Sequence, residues 1–161
     1  MEPIPATQTK PIDWTLITRL TIELGHKSVL VCTSEQNEQP PGDELPTIKT
    51  LTADTAQQHQ HPEAFVVVYD YIDTLSPANG QMLLGHLKNL ISPNILVVTP
   101  TQSNWKLTDF IAMGFKAISS PLLKQNGYTG YYYDLCTYNH KRTWNNPKFW
   151  ANPENFNKFR W

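Results

Sequence analysis

Apolar residues cluster in three short runs that predict buried strands. The runs cover residues 28–32, 64–72 and 94–100, and nearly every position in them is apolar or aromatic. A strand that faces solvent on one side alternates between apolar and polar residues, whereas a strand covered on both faces does not. These runs therefore indicate the centre of a sheet that is covered on both faces.

Between the runs, apolar residues recur every three or four positions, which predicts amphipathic helices. Asp13 is expected to cap the first helix and Gly25 to end it. Ser76, which a proline follows, is expected to cap a second helix, and Ser103 a third helix within residues 104–115. The apolar stripe predicted for the second helix consists of Met82, Leu83, Leu87, Leu90 and Ile91.

Three weaker segments complete the pattern as strands. They are residues 47–54, 115–121 and 129–139, and the last is long enough to lie at a sheet edge. Because strands and helices alternate, the sequence predicts a doubly wound α/β fold with a mostly parallel sheet and an antiparallel C-terminal edge. In such folds the loops after the parallel strands share one rim of the sheet, where ligands bind.

Polar side chains follow each of the first three strands at this rim. They are Thr33, Ser34 and Glu35 after the first strand, Asp54 after the second, and Asp70, Tyr71 and Asp73 after the third. Carboxylates in such a crevice can accept hydrogen bonds from ribose or amine groups, or bind a cation. Aspartates at strand ends also cap turns, and both interpretations remain open.

Length and composition indicate one domain with two flanking segments. The chain has 161 residues, of which 40% are hydrophobic. Residues 13–139 are expected to form the domain, after a flexible arm of residues 1–12. Neither a signal peptide nor a run of roughly 20 apolar residues is present, and Cys32 and Cys136 are expected to be buried, reduced thiols. These features predict a cytoplasmic protein without a membrane partner.

Residues 140–161 form a basic, aromatic tail, which is expected to pack on the domain and cover one flank of the sheet. The net charge of the chain is −1, but the segment from residue 141 onward contains five Lys and Arg residues and a single Glu. The aromatic residues of the tail are Trp144, Phe149, Trp150, Phe156, Phe159 and Trp161. A docking surface for a protein partner is the second interpretation. Stacking on single-stranded RNA bases ranks third.

The order of segments resembles that of the class I S-adenosylmethionine-dependent methyltransferases, which have a Rossmann-like fold. The segments are "VLVCTSE", "LTAD", "EAFVVVYDYIDTLSPANGQMLLGHLKNLISPNILVVTP" and "FIAMGFKAI", and the resemblance covers residues 13–139. It implies that Thr33 and Ser34 occupy the cofactor loop, that Asp54 lies on the adenine side, and that Asp70 with Tyr71 faces the reacting methyl group. It also implies a closing hairpin, with residues 131–135 as the edge strand.

The loop after the first strand departs from the family pattern. Methyltransferases of this class have a glycine-rich loop there, whereas "CTSEQNE" contains no glycine. We therefore expect a methyltransferase-like binding or regulatory module that has lost standard cofactor binding and catalysis. A divergent methyltransferase, with S-adenosylmethionine as its cofactor, is the alternative; no other cofactor is assigned.

A response-regulator receiver domain is the third interpretation. It would make Asp70 the phosphoacceptor and Thr99 the switch hydroxyl. However, "CTSEQ" offers only Glu35 where a receiver needs an acidic pair, and Ser120 stands where a receiver has lysine. No metal site is expected, because two histidines in "QQHQHPE" are more typical of a solvated turn. Phosphate-loop and nucleophile-turn motifs are absent from the sequence.

Overall fold

The protein is described by a computed structural model that covers residues 11–34, 46–56, 58–138, 152–155 and 158, with the backbone alone at residues 53, 54, 138 and 153. Most of the predicted arm and tail therefore lies outside the described residues. The helices are α1 (Trp14–Glu23), α2 (Ala53–Ala56), α3 (Pro77–His86), α4 (Leu107–Ala112), α5 (Pro121–Gln125) and α6 (Leu135–Tyr138). The strands are β1 (Ser28–Thr33), β2 (Thr47–Thr52), β3 (Val66–Tyr69), β4 (Asn94–Pro100), β5 (Lys116–Ile118) and β6 (Tyr128–Asp134).

The strands form one six-stranded sheet in the order β2-β1-β3-β4-β6-β5. The first four strands in this order are parallel to one another. β6 is antiparallel to β4 on one side and to β5 on the other. The prediction of an α/β protein with a mostly parallel sheet and an antiparallel C-terminal edge is thus confirmed.

Helices cover both faces of the sheet, and each face has its own hydrophobic core. The core under α1 and α5 includes Leu16, Ile17, Leu20 and Leu123. The core under α3 and α4 includes Leu83, Leu84, Leu87, Ile91 and Phe110. Successive strand residues alternate between the two cores: Val97 of β4 lies on the α3 side, and Val98 lies on the α1 side.

The predicted starts of α1 and α3 are confirmed by their capping bonds. The Asp13 carboxylate accepts a hydrogen bond from the backbone N–H of Leu16 at 2.9 Å. The Ser76 hydroxyl accepts one from the N–H of Asn79 at 3.3 Å. Each cap satisfies a backbone donor that has no partner within the helix.

The predicted apolar stripe of α3 is only partly correct. Leu83, Leu87 and Ile91 are buried as expected, but Met82 and Leu90 are exposed. The helix continues as a π-helical turn, Leu87–Ile91, in which the N–H of Ser92 bonds to the carbonyl of Leu87. The wider turn changes which side chains after His86 face the sheet, and a regular helical period does not reveal this change.

The third helix begins later than predicted, and Ser103 does not cap it. The N-cap of α4 is Lys106, whose N–H donates to the Asp109 carboxylate at 2.9 Å. The Ser103 hydroxyl instead donates to the Asp73 carboxylate at 2.7 Å. A contact between distant parts of the chain has replaced the expected local cap.

The prediction that residues 131–135 form an edge strand is wrong. β6 pairs on both sides, and the outermost strand at this end of the sheet is β5. Tyr131 and Tyr133 are buried on the α3 side. An edge strand would leave these side chains more exposed. β6 also ends at Asp134, whose carboxylate accepts a hydrogen bond from the N–H of Cys136 at 2.8 Å as α6 begins.

Three further observations concern the predicted domain limits and compartment. Ile12, assigned to the arm by sequence, is buried in the core beneath α1. Cys32 is buried as expected, but Cys136 is exposed, because it lies in α6 and not in a strand. Within the described ranges, no helix is both long enough and apolar enough to cross a membrane.

Candidate switch-point site

The chain reverses its direction of sheet growth between β1 and β3. From β1 the sheet extends to β2 on one side, and from β3 it extends to β4 on the other. The carboxyl ends of these four parallel strands lie at one rim. Open α/β sheets bind ligands in the crevice that this reversal creates. We refer to the rim between β1 and β3 as the switch point.

At the end of β1, Thr33 is almost completely buried, with 3% of its surface exposed. Its partner in the register with β2 is Thr52. Ser34, the next residue, is exposed. Glu35 and the rest of the loop up to residue 45 lie outside the described residues. The described start of this loop thus contains ordinary side chains where a cofactor loop of the resembled family has glycine.

Asp54 follows β2 within the one-turn helix α2, which contacts both β1 and β2. The Thr55 hydroxyl stabilises the strand-to-helix junction, because it accepts from the N–H of Thr52 at 3.2 Å and donates to the carbonyl of the same residue at 3.1 Å. The backbone of Asp54 therefore lies directly after the carboxyl end of β2, and β2 is paired with β1. The side chain of Asp54 lies outside the described part of the chain.

Asp70 adopts a left-handed backbone conformation at the end of β3. Its φ is +46°, and among the described residues it is the one non-glycine with a positive φ. Its N–H donates to the carbonyl of Val98 in β4 at 3.0 Å. Such conformations cost free energy and persist where the surrounding structure enforces them, often at functional sites. The turn also directs the following residues across the end of β4.

The ring of Tyr71 is buried in the core beneath α3 and α4, with 5% of its surface exposed. Its carbonyl accepts a hydrogen bond from the Thr74 hydroxyl at 2.7 Å, within the 3₁₀ turn Ile72–Thr74. Tyr71 therefore shares the rim with Asp70 through its backbone, while its side chain contributes to packing.

Asp73 bonds to the loop after β4, a contact that no local sequence pattern indicates. One carboxylate oxygen, Oδ1, accepts hydrogen bonds from the Ser103 hydroxyl at 2.7 Å and the N–H of Asn104 at 3.1 Å. The sequence places Asp73 at the rim but does not indicate its partners, which are about 30 residues away in the chain. The hydrogen bonds connect the loop after β3 to the loop after β4.

On the α1 side of the rim, two tyrosines form a buried pair. The Tyr69 hydroxyl donates to the Tyr128 hydroxyl at 3.1 Å. Burial is the main cause that raises the pKa of Tyr69, and this hydrogen bond raises it further. Tyr69 is therefore a packed, neutral phenol and not a candidate general base.

His59, the first histidine of "QQHQHPE", lies in a cluster of polar contacts. Nε2 of His59 is 3.6 Å from a carboxylate oxygen of Glu63, and Nζ of Lys49 is 3.1 Å from the same oxygen. Nε2 of His86 is within hydrogen-bond distance of the His59 carbonyl, at 3.1 Å. In the part of the chain that the structure describes, no three His, Cys, Asp or Glu residues are grouped to hold a metal ion.

The structure brings Thr33, Ser34, the Asp54 backbone and Asp70 to one rim of the sheet. A comparison with curated proteins found no match. A family model described as a family of unknown function (DUF6231) matches residues 13–161, which include the whole predicted domain and the tail. Because this match covers nearly all of the chain, the protein belongs to the DUF6231 family.

Proposed function

We propose that this protein is a methyltransferase-like binding or regulatory module of Rossmann-like type that does not transfer methyl groups. It would use the rim at the switch point, or its aromatic tail, as a binding surface. Two kinds of support exist, one for the type of fold and one for the loss of catalysis.

The strand order supports the Rossmann-like type. β1 with β2 and β3 with β4 form two parallel halves that meet at the switch point, as in doubly wound nucleotide-binding folds. The antiparallel pair formed by β5 and β6 closes the sheet, as the resemblance to methyltransferases implies. In this interpretation the N-terminal half is shortened, because one described strand, β2, lies beyond β1.

The main support for a loss of cofactor binding is the buried side chain of Thr33. A glycine at this position lets the backbone approach a ligand closely and adopt a positive φ, whereas a β-branched residue does neither. Thr33 has 3% of its surface exposed and no glycine beside it. The residues at the end of β1 therefore do not fit the usual binding loop for an adenosyl group.

Calorimetric titration with S-adenosylmethionine and its demethylated product, S-adenosylhomocysteine, tests this proposal. We expect no saturable heat at millimolar concentrations of either compound. Micromolar binding that Asp54→Ala weakens would contradict the proposal. In that case the divergent methyltransferase, with Asp54 and Asp70 at the cofactor crevice, would be the correct interpretation.

The left-handed backbone of Asp70 is the observation that favours the divergent methyltransferase. Backbone strain in a functional position is a common feature of catalytic and ligand-binding sites.

The receiver interpretation has less support. Receiver domains have the strand order 2-1-3-4-5, in which the last strand pairs with the fourth. Here β6 separates β5 from β4, so Ser120 follows a strand that is not next to Thr99.

A further inference from the structure

We propose that two buried polar atoms at the carboxyl ends of β3 and β4 bind a small primary amine in its ammonium form. The site would be formed by the 3₁₀ turn Ile72–Thr74, by Thr99 near the end of β4, and by the loop of residues 101–106. We call it the Asp73 site. It lies on the β4 side of β3, whereas the switch point lies on the β1 side, so it goes beyond the proposed function.

Two polar atoms in this region have no hydrogen-bond partner. Oδ2 of Asp73 and Oγ1 of Thr99 are both buried and unpaired, and Thr99 has only 1% of its surface exposed. A buried polar atom without a partner costs free energy, so such atoms are rare in native proteins. Two of them at the ends of neighbouring strands indicate that something outside the described chain satisfies them.

Several contacts bring the segments that carry the two atoms to the same end of the sheet. Asp70 bonds to the carbonyl of Val98, the residue before Thr99, and the 3₁₀ turn that carries Asp73 contacts β4. By strand alternation, Thr99 lies on the same face as Val97, which is the α3 side. Ile72, the neighbour of Asp73, is also buried on the α3 side.

The Asp73 carboxylate is fixed by its other oxygen. Oδ1 accepts from both the Ser103 hydroxyl and the N–H of Asn104. The Ser103 hydroxyl oxygen in turn accepts from the N–H of Trp105 at 3.0 Å. Trp105 packs against Gly80 of α3, where even an added methyl group would overlap its ring. Oδ2 is therefore held in place before any ligand arrives, which lowers the entropic cost of binding.

The charge of the site indicates the class of ligand. The ion pairs observed among the described residues involve Glu63 and not Asp73. A carboxylate oxygen buried in this way is best satisfied by a cationic donor. A primary ammonium group carries three N–H donors, enough to reach Oδ2 of Asp73 and Oγ1 of Thr99 together. An anion would be repelled, and an ordered water molecule is the competing occupant.

Calorimetric titration of the full chain with ethanolamine tests the proposal, with choline as the matched control. Choline has the same skeleton, but three methyl groups replace the N–H donors. We expect saturable binding of ethanolamine and none of choline. A site that holds only water would give no saturable heat with ethanolamine, and that result would overturn the proposal. Equal binding of the two compounds would also overturn it.

Two substitutions locate the binding. Asp73→Asn keeps the acceptor at Oδ1 but removes the charge, and should weaken ethanolamine binding by about tenfold or more. Thr99→Val keeps the shape and removes the hydroxyl; it should weaken binding without lowering the melting temperature, because Oγ1 has no protein partner to lose. Asp109→Asn, at the start of α4, removes a carboxylate elsewhere and should leave binding unchanged.

The Thr99 variant keeps the test decisive if Asp73→Asn fails to fold. A purely structural role for the hydroxyl would lower the melting temperature of Thr99→Val and leave ethanolamine binding intact. That outcome, like unchanged binding by a folded Asp73→Asn protein, would contradict the proposal.

Discussion

The two cysteines differ in exposure, so their reactivity should differ sharply. Cys32 is fully buried in β1, and burial raises the pKa of its thiol to about 12. Cys136 is exposed in α6. Since the thiolate is the reactive form, we expect a thiol reagent to modify Cys136 in the native protein and Cys32 only after unfolding.

A count of reactive thiols with and without denaturant measures this difference. The Cys136→Ser variant is the control, and it should show no reactive thiol until it unfolds. Rapid modification of Cys32 in the native variant would contradict the burial of β1.

His26 should make the stability of the protein depend on pH. Its ring stacks on Phe65 with 4.2 Å between centroids, and Nε2 lies 3.3 Å from the Tyr132 hydroxyl. Burial lowers the pKa of His26 below its usual value of 6.5, although the nearby Asp134 carboxylate partly opposes the shift. As the pH falls below that value, the unfolded chain binds a proton before the folded protein does. The free energy of unfolding should therefore decrease on acidification.

Urea denaturation between about pH 8 and about pH 5 tests this dependence. The His26→Phe variant retains a ring to stack on Phe65 but cannot titrate, so its stability should fall less over the same range. His61→Phe, which removes an exposed histidine, controls for the substitution itself. An equal loss of stability in the wild-type and His26→Phe proteins would contradict the role given to His26.

At the scale of the elements, α3 depends on one glycine and not on another. A methyl group added at Gly80 would overlap the Trp105 ring and crowd Ile72, whereas one added at Gly85 would meet no atom within 4 Å. Gly80→Ala should therefore destabilise the protein by about 1–3 kcal/mol through overpacking. Gly85→Ala should stabilise it by about 0.5–1 kcal/mol through helix propensity.

Thermal or urea unfolding of the two variants measures this contrast. The pair is matched, because both substitutions add the same methyl group to the same helix. Equal stability of the two variants would show that Trp105 does not pack on Gly80 as described.

The elements that local sequence patterns determine were predictable. β1 and β4 are apolar at nearly every buried position, and the caps of α1 and α3 bond within their own first turn. The elements that distant contacts determine were not. Ser103 bonds to Asp73 and not to its own helix, and β6 inserts between β4 and β5.

The same distinction applies to the candidate sites. Thr33, Ser34, Asp54 and Asp70 could be assigned to one rim, since parallel strands end at the same edge of a sheet. The positive φ of Asp70 had no sequence signal, because glycine is the residue that normally indicates it. The unpaired oxygens of Asp73 and Thr99 depend on packing between the loops after β3 and β4, which no local pattern encodes.

At the scale of the whole molecule, removal of the aromatic tail tests whether it belongs to the fold. The tail lies mostly outside the described residues, and the family match includes it. If its rings cover a flank of the sheet, truncation after Asn139 should lower the melting temperature strongly or make the protein insoluble. A stable, monomeric truncated protein would contradict this and favour a docking role for the tail.

The loss of standard cofactor binding at the end of β1 is the central claim about the molecule. Nuclear magnetic resonance can test it directly, by following the backbone amide signals of Thr33 and Ser34 during titration with S-adenosylhomocysteine. We expect both signals to stay unchanged at millimolar ligand, because the buried Thr33 side chain keeps the backbone from a close approach. Saturable shifts centred on these two residues would contradict the claim and establish a working adenosyl site.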